Sequence, residues 1–175
     1  MTSIFAQLLG PDRFAQLGAP LRRLHEATQT RTHVGIVEVE RGRGWIARFC
    51  AWAADLPPDA TAQRIAVEIA ILPDAEIWKR HFGDHVMRSH LRRDGALLAE
   101  RLGLVRFLFE LDVIERRLVW RIAQVRALGV PLPRRWFDGV RACEFESDGV
   151  YRFDVKVRLP MIGPIVHYHG YLDVG

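Results

Sequence analysis

The sequence is poor in the residues that usually announce a chemistry. Only two cysteines occur, Cys50 and Cys143, far apart and in apolar surroundings. That excludes a disulfide framework and suits buried thiols in a reducing compartment, with no redox role implied. Serine is confined to Ser3, Ser89 and Ser147, none in a G-x-S-x-G setting, and neither cysteine has a histidine close by in sequence. No nucleophile is therefore marked by its context. A Walker loop, G-x-G-x-x-G, an EF-hand loop and H-E-x-x-H are all missing, and with them the signatures of nucleotide, calcium and zinc chemistry. Arg41-Gly42-Arg43-Gly44 is too short to cradle a phosphate and reads as a turn. Catalytic residues stay unassigned, and no cofactor is expected.

Long apolar runs are lacking as well. No uncharged span is long enough to cross a bilayer, and MTSIFAQLLGPDR has neither the basic nor the apolar region of a signal peptide. A soluble, cytoplasmic protein is expected. Lysine is nearly absent, so the 25 Lys+Arg set against 21 Asp+Glu are almost all arginine. These arginines are scattered over predicted strands and gather in no single stripe, which argues against nucleic acid as a partner.

What is present is a core. With 49% of 175 residues hydrophobic, one domain over 1–175 is expected, with a helical segment over 1–31 and a β-rich body over 32–175. Ile4, Phe5, Leu8, Phe14, Leu17, Leu21 and Leu24 fall at helical spacings broken by Gly10-Pro11 and Gly18-Ala19-Pro20, predicting short kinked helices. Thr32 to Glu40 reads as a strand whose apolar parity changes between Ile36 and Val37, a sign of a bulge. Over 45–55 the spacing predicts a helix with Trp45, Phe49, Trp52 and Leu56 on one stripe. That stripe is expected to pack over the open end or one face of the sheet. A lid or membrane-touching role for Trp45 to Leu56 is the lesser reading, because Arg48 alone is a weak polar face for anionic lipid.

From Gln63 onward, strand-length runs alternate with turns such as Pro73-Asp74, Gly83-Asp84 and Arg93-Asp94-Gly95. Leu128 to Pro133 has two prolines and cannot be a central strand. The last stretch is the clearest: Tyr151, Phe153, Val155, Val157 and Leu159 alternate with charges, and Val166, Tyr168, Leu172 and Val174 share one parity after Pro160 to Pro164. About ten successive antiparallel strands favour closure. The fold class is thus α+β, mainly antiparallel β: a curved meander forming a lipocalin-like barrel or half-barrel, with N-terminal helices and one capping helix. A helix-grip, lipid-transfer-like fold is the rival, although such folds usually close with a long helix where this chain ends in a strand.

Several stretches together, LLGPDRFAQL, VERGRG, WKRHFGDHVMRSHL, LGVPLPRRW and FDVKVRLPMIGPIVHYHGYL, resemble the bacterial domain of unknown function 4166 family. The resemblance implies a fold and an occasional attachment to other domains, including saccharopine-dehydrogenase-like cofactor-binding domains. It implies no activity and no site residues.

Two constellations invite a functional reading. If Gly83-Asp84 is a two-residue turn, Phe82 faces His85, Arg80 faces Met87, Trp78 faces Ser89 and Glu76 faces Leu91. Trp78, Phe82, Met87 and Leu91 then form an apolar face with Arg80 and Ser89 set among them. A guanidinium there needs an anionic partner. Arg80, with Ser89 and Trp78, is the candidate for the polar head of an amphiphilic ligand, with Phe82, Met87 and Tyr168 on the same lining. The competing reading is an internal salt bridge to Glu76 or Glu68, or Arg80 in solvent. The second constellation is His167-x-His169, whose spacing could chelate zinc. If Val157 pairs with Tyr168, its neighbours are Arg158 and Lys156, which oppose a cation, so no metal is expected. Three functions follow: binding of a small hydrophobic or amphiphilic ligand, acidic ones included, in the barrel; a cofactor-free isomerase or hydrolase-like enzyme in the same cavity; or an interaction or oligomerisation module through Trp136 and LGVPLP.

Overall fold

The computed structural model describes residues 3–175; Met1 and Thr2, part of the expected 1–31 segment, lie outside the described residues. Three short helices come first: α1 (Ile4–Leu9), α2 (Pro11–Ala15) and α3 (Ala19–His25). Ser3 caps α1 by accepting the Ala6 N–H, and Pro11 and Pro20 sit in the opening turns of α2 and α3, where a missing N–H costs no intrahelical bond.

The body is a closed barrel of ten antiparallel strands. In chain order come β1 (Arg31–Arg41), α4 (Trp45–Ala53), β2 (Ala60–Ile71), β3 (Ala75–Phe82), β4 (His85–Asp94), β5 (Leu97–Leu102), β6 (Val105–Ile114) and β7 (Arg117–Ala127). Then follow β8 (Val130–Leu132), a 3-10 turn at Arg134–Phe137, β9 (Arg141–Ser147), β10 (Val150–Leu159) and β11 (Gly163–Asp173). Neighbours pair in order from β1 to β7, β7 pairs with β9, and β10 and β11 return to β1. β8, with Pro131, is a short extra strand on the edge of β7 beyond β9, as its prolines require. Alternation explains the closure: each strand gives one row of apolar side chains to the interior, and closing leaves no long edge unpaired.

Strand direction sorts the connections between two ends. The turns 72–74, 95–96, 115–116 and 148–149 lie at one end, which the N-terminal helices plug. There Gly18 N–H donates to the Arg116 carbonyl at 3.2 Å, and Phe5, Leu17, Leu21 and Leu24 are buried. At the other end α4 is tied to the barrel by Leu104 N–H donating to the Ala53 carbonyl at 2.8 Å, while Leu128 N–H donates to Leu104 and Gly42 N–H to Ile165. The turns 83–84, 103–104, 128–129 and 160–162 share that end.

Three local expectations change. The irregularity in β1 falls between Val37 and Val39, against β2; His33, Val37 and Val39 point inward throughout. Gly35 holds the inward place between His33 and Val37, where a Cβ would meet the Tyr171 carbonyl at 1.8 Å. Helix α4 is reversed: it buries Ala47, Ala51 and Ala54 against the rim and exposes Trp45, Phe49 and Trp52. Of the expected stripe only Leu56, past the helix end, is buried. In the last hairpin Val155, not Val157, pairs with Tyr168. A two-residue shift leaves every side chain on its face but changes its neighbours.

Candidate functional site

The β3–β4 register is the one the two-residue turn dictates, pairing Arg80 with Met87 and Trp78 with Ser89. Trp78, Phe82, Met87, Leu91 and Ser89 are buried, and the Arg80 side chain is only 13% exposed. Arg80 thus lies inside the barrel. Its guanidinium donates to Ser89 Oγ, stacks 5.0 Å from the centroid of Trp78, and has Glu100 Oε1 3.7 Å from Nη2. The internal partner is Glu100 of β5. Glu76 instead accepts from the Trp78 indole N–H at 2.9 Å, and Glu68 pairs with Lys79 on the outer surface.

Arg80 borders a cavity of about 310 Å³ that occupies the barrel between its centre and the α4 end. Its wall is mostly apolar: Leu102, Phe107, Phe109, Phe137, Val155 and Val157, for example. The polar members are Arg80, Glu100, Glu144, Tyr151 and Tyr168, with Trp78 and Trp120 among the aromatics. Of the residues expected on a ligand-contacting lining, Arg80, Trp78 and Tyr168 border this cavity. Phe82, Met87 and Ser89 are buried beside it in the wall, Ser89 serving to hold Arg80.

Behind the cavity lies a second buried pair that sequence reading missed. His25, at the end of α3, has Nε2 2.6 Å from Glu144 Oε2 of β9, with the side chains 0% and 8% exposed. Phe5 stacks on His25 at 3.9 Å, and Trp78 and Trp120 close the cluster. A buried carboxylate survives only with such partners. Glu76, buried close by, has its carboxyl pushed above the usual range by burial, partly offset by the Trp78 N–H. Burial likewise drives the phenols up: Tyr168 to about 12, and Tyr151 well above the usual phenol range, with Glu144 adding to the effect. Both phenols therefore remain protonated donors at neutral pH. The indole N–H of Trp120 is buried with no hydrogen-bond partner among the described residues.

The signal for these residues was parity. Glu100 alternates in phase with Leu98 and Leu102, and Glu144 with Val140 and Ala142. Both fall on the dry face of their strands.

Chemically the set holds close titratable pairs, Arg80 with Glu100 and His25 with Glu144, which an enzyme reading demands. A nucleophile is wanting: Ser89 is committed to Arg80, and burial pushes both cavity-lining thiols, Cys50 and Cys143, up, away from the reactive thiolate. His167 and His169 lie on the outer wall as expected, but among acids: His167 Nε2 is 2.9 Å from Asp154 and His169 Nε2 is 3.8 Å from Glu38. Of the expected neighbours Lys156 remains, now opposite His167 instead of His169, while Asp154 takes the place opposite His169 and Arg158 faces neither. Among the described residues no group of three or more His, Cys, Asp or Glu side chains is arranged to hold a metal ion, and no helix is long and apolar enough to cross a membrane.

The chain belongs to the family described as Domain of unknown function (DUF4166), whose model matches residues 17–172. No curated protein and no solved structure matches it.

Proposed function

We propose that this member of the family binds a small apolar molecule carrying an uncharged oxygen-bearing head, such as a long-chain alcohol or a neutral amphiphile, with the head held in the barrel and the apolar part toward the α4 end. The observation that carries this reading is the charge balance of the wall. Arg80 is already matched by Glu100 and bonded to Ser89, and Glu144 adds a second carboxylate with His25 behind it. An acidic ligand would meet two carboxylates for one guanidinium, which disfavours it. Trp120, which borders the cavity, has a buried indole N–H with no acceptor among the described residues, and a hydroxyl or carbonyl oxygen that reaches it supplies one. A volume of about 310 Å³ sits at the small end of ligand pockets, which run from about 300 to 1,000 Å³.

The same inventory weighs against an enzyme, since the titratable groups satisfy one another and no activated nucleophile faces the cavity. The test is a titration of intrinsic fluorescence, with Trp78 and Trp120 as reporters, using dodecanol and dodecanoate. Saturable binding of dodecanol with weaker binding of dodecanoate supports the reading. Absence of dodecanol binding, or a preference for the carboxylate, overturns it. Native mass spectrometry of gently purified protein offers an independent check, since a retained neutral amphiphile supports the reading and a retained acidic lipid contradicts it.

A further inference from the structure

The end of the barrel at which α4 lies carries more exposed apolar surface than a soluble face needs. Trp45 is 80% exposed, Trp52 66% and Phe49 61%, and they sit on one face of α4 because small alanines fill the opposite face. Leu128, Trp136 and Met161 are exposed on turns at the same end. Aromatics grouped so densely in water mark an interaction surface. The spacing is that of a helix lying flat in an interface, with Trp45, Phe49 and Trp52 at i, i+4 and i+7.

The charges say which partner. The plugged end is rich in acids: Asp112 meets Arg13 and Arg121, Glu146 meets Arg116, and Asp74, Glu115 and Asp148 stand exposed on its turns beside Arg23, Arg31, Arg92 and Arg117. At the α4 end Arg43, Arg48, Arg134, Arg135 and Arg158 are exposed, and none has an ion pair among the described residues. Glu40, Asp55, Asp59, Asp84 and Asp138 stand against them, but Arg64, Arg101, Arg126 and Lys156 are also exposed toward the α4 ends of their strands, leaving an excess of positive charge around the aromatics. A second copy docked by the same face would bring these arginines together, whereas anionic lipid headgroups would meet them while the aromatics enter the interface. The single Arg48 on the helix itself is joined by arginines from neighbouring turns, which a helix-only reading omits.

We propose that this end of the barrel docks, without spanning, on an anionic lipid surface, which sets the cavity mouth against the membrane. Phe49 both lines the cavity and stands exposed beside its mouth, so an apolar ligand would pass between bilayer and barrel without crossing water. The docking stands whether or not the cavity reading does.

The experiment is flotation of the full chain with vesicles of phosphatidylcholine, with and without phosphatidylglycerol, scored also by quenching of tryptophan with bilayer-embedded nitroxide lipids. Binding is expected to the anionic vesicles and to weaken with salt. The double variant Trp45→Ser/Trp52→Ser, both exposed and outside the cavity, is expected to lose it while keeping the wild-type circular dichroism and dodecanol titration. Arg43→Ser and Arg48→Ser are each expected to weaken it about fivefold. No binding to anionic vesicles, or equal binding by the folded double variant, overturns the proposal. So does a dimer in solution that protects Trp45 and Trp52, which would assign the face to self-association. Vesicle binding that persists when dodecanol fails to bind would leave the docking intact and refute only the ligand reading.

Discussion

Arg80 of β3 and Glu100 of β5 meet inside the barrel across the intervening strand β4, Nη2 to Oε1 3.7 Å, with Ser89 of β4 accepting a hydrogen bond from the same guanidinium. The three strands are consecutive, so the pair is built from one short meander. It makes the interior polar without leaving a net charge there, and that decides which ligands the cavity tolerates.

Glu100→Gln removes the balancing carboxylate while nearly keeping its shape. The Arg80 guanidinium then becomes an available anion partner in a desolvated wall, where a hydrogen bond to a charged group contributes about 1.5–3 kcal/mol. Dodecanoate should bind roughly 10- to 100-fold more tightly to the variant than to wild type, with dodecanol little changed. Fluorescence titration of both ligands reads this directly, and an unaltered preference would show that Arg80 does not address the cavity. The variant should also be less stable, since an unmatched buried charge is costly.

The His25–Glu144 pair fastens the N-terminal helices to the barrel. Replacing His25 by Leu leaves the buried Glu144 carboxyl without its His25 hydrogen bond, a change expected to cost about 1–3 kcal/mol. The double variant His25→Leu/Glu144→Leu should be more stable than the sum of the two single losses implies. A double-mutant cycle in urea measures the coupling, and a value near zero would mean that the 2.6 Å contact contributes nothing to holding the plug.

How far this was legible follows from how each feature is encoded. The β3–β4 register could be read because a two-residue turn fixes it, and Gly83, with φ +60°, makes that turn. In the last hairpin the five-residue Pro160 to Pro164 connection and a shift between Val157 and Arg158 left the register open by two residues. The faces survived that error; of the histidines' expected neighbours Lys156 stayed, opposite His167, and Arg158 gave way to Asp154, opposite His169. In α4 both faces are apolar, so periodicity could not choose between them; size chose, because alanines allow close approach to the rim. Glu100 and Glu144 lay in plain sight on the dry parity of their strands, but their partners depend on which strands and helices become neighbours, which no local pattern states.

His33 should make the fold acid-sensitive. Its ring is buried, its Nδ1 lies 3.2 Å from the Asp173 carbonyl, and its Nε2 has no partner among the described residues. Burial holds its pKa below the ordinary 6.5, outweighing the pull of that carbonyl. With the folded value lowered, the unfolded chain binds the extra proton first, so stability is full above 6.5 and is lost as pH falls through it. Urea midpoints at roughly pH 7.5 and roughly pH 5.5 should fall more for wild type than for His33→Asn, which keeps a donor toward Asp173 but does not titrate. Parallel losses in the two proteins would remove His33 as the cause.

Cys50 on α4 and Cys143 on β9 both border the cavity, so their reactivity reports on its occupant. Burial raises both thiol pKa values, with Glu144 adding to the effect at Cys143. Little thiolate is present at neutral pH, and maleimide should react roughly tenfold or more slowly than with the urea-unfolded chain. Raising the pH should speed labelling at both sites as the thiolate fraction grows. Cys50 lies at the mouth and Cys143 deeper, beside Glu144, so a molecule seated head-inward covers both. Saturating dodecanol should slow labelling of Cys50→Ser, which reports Cys143 alone, and of Cys143→Ser, which reports Cys50. Protection of Cys50 alone would place the ligand at the rim, and protection of neither, with binding intact by fluorescence, would put it outside the barrel.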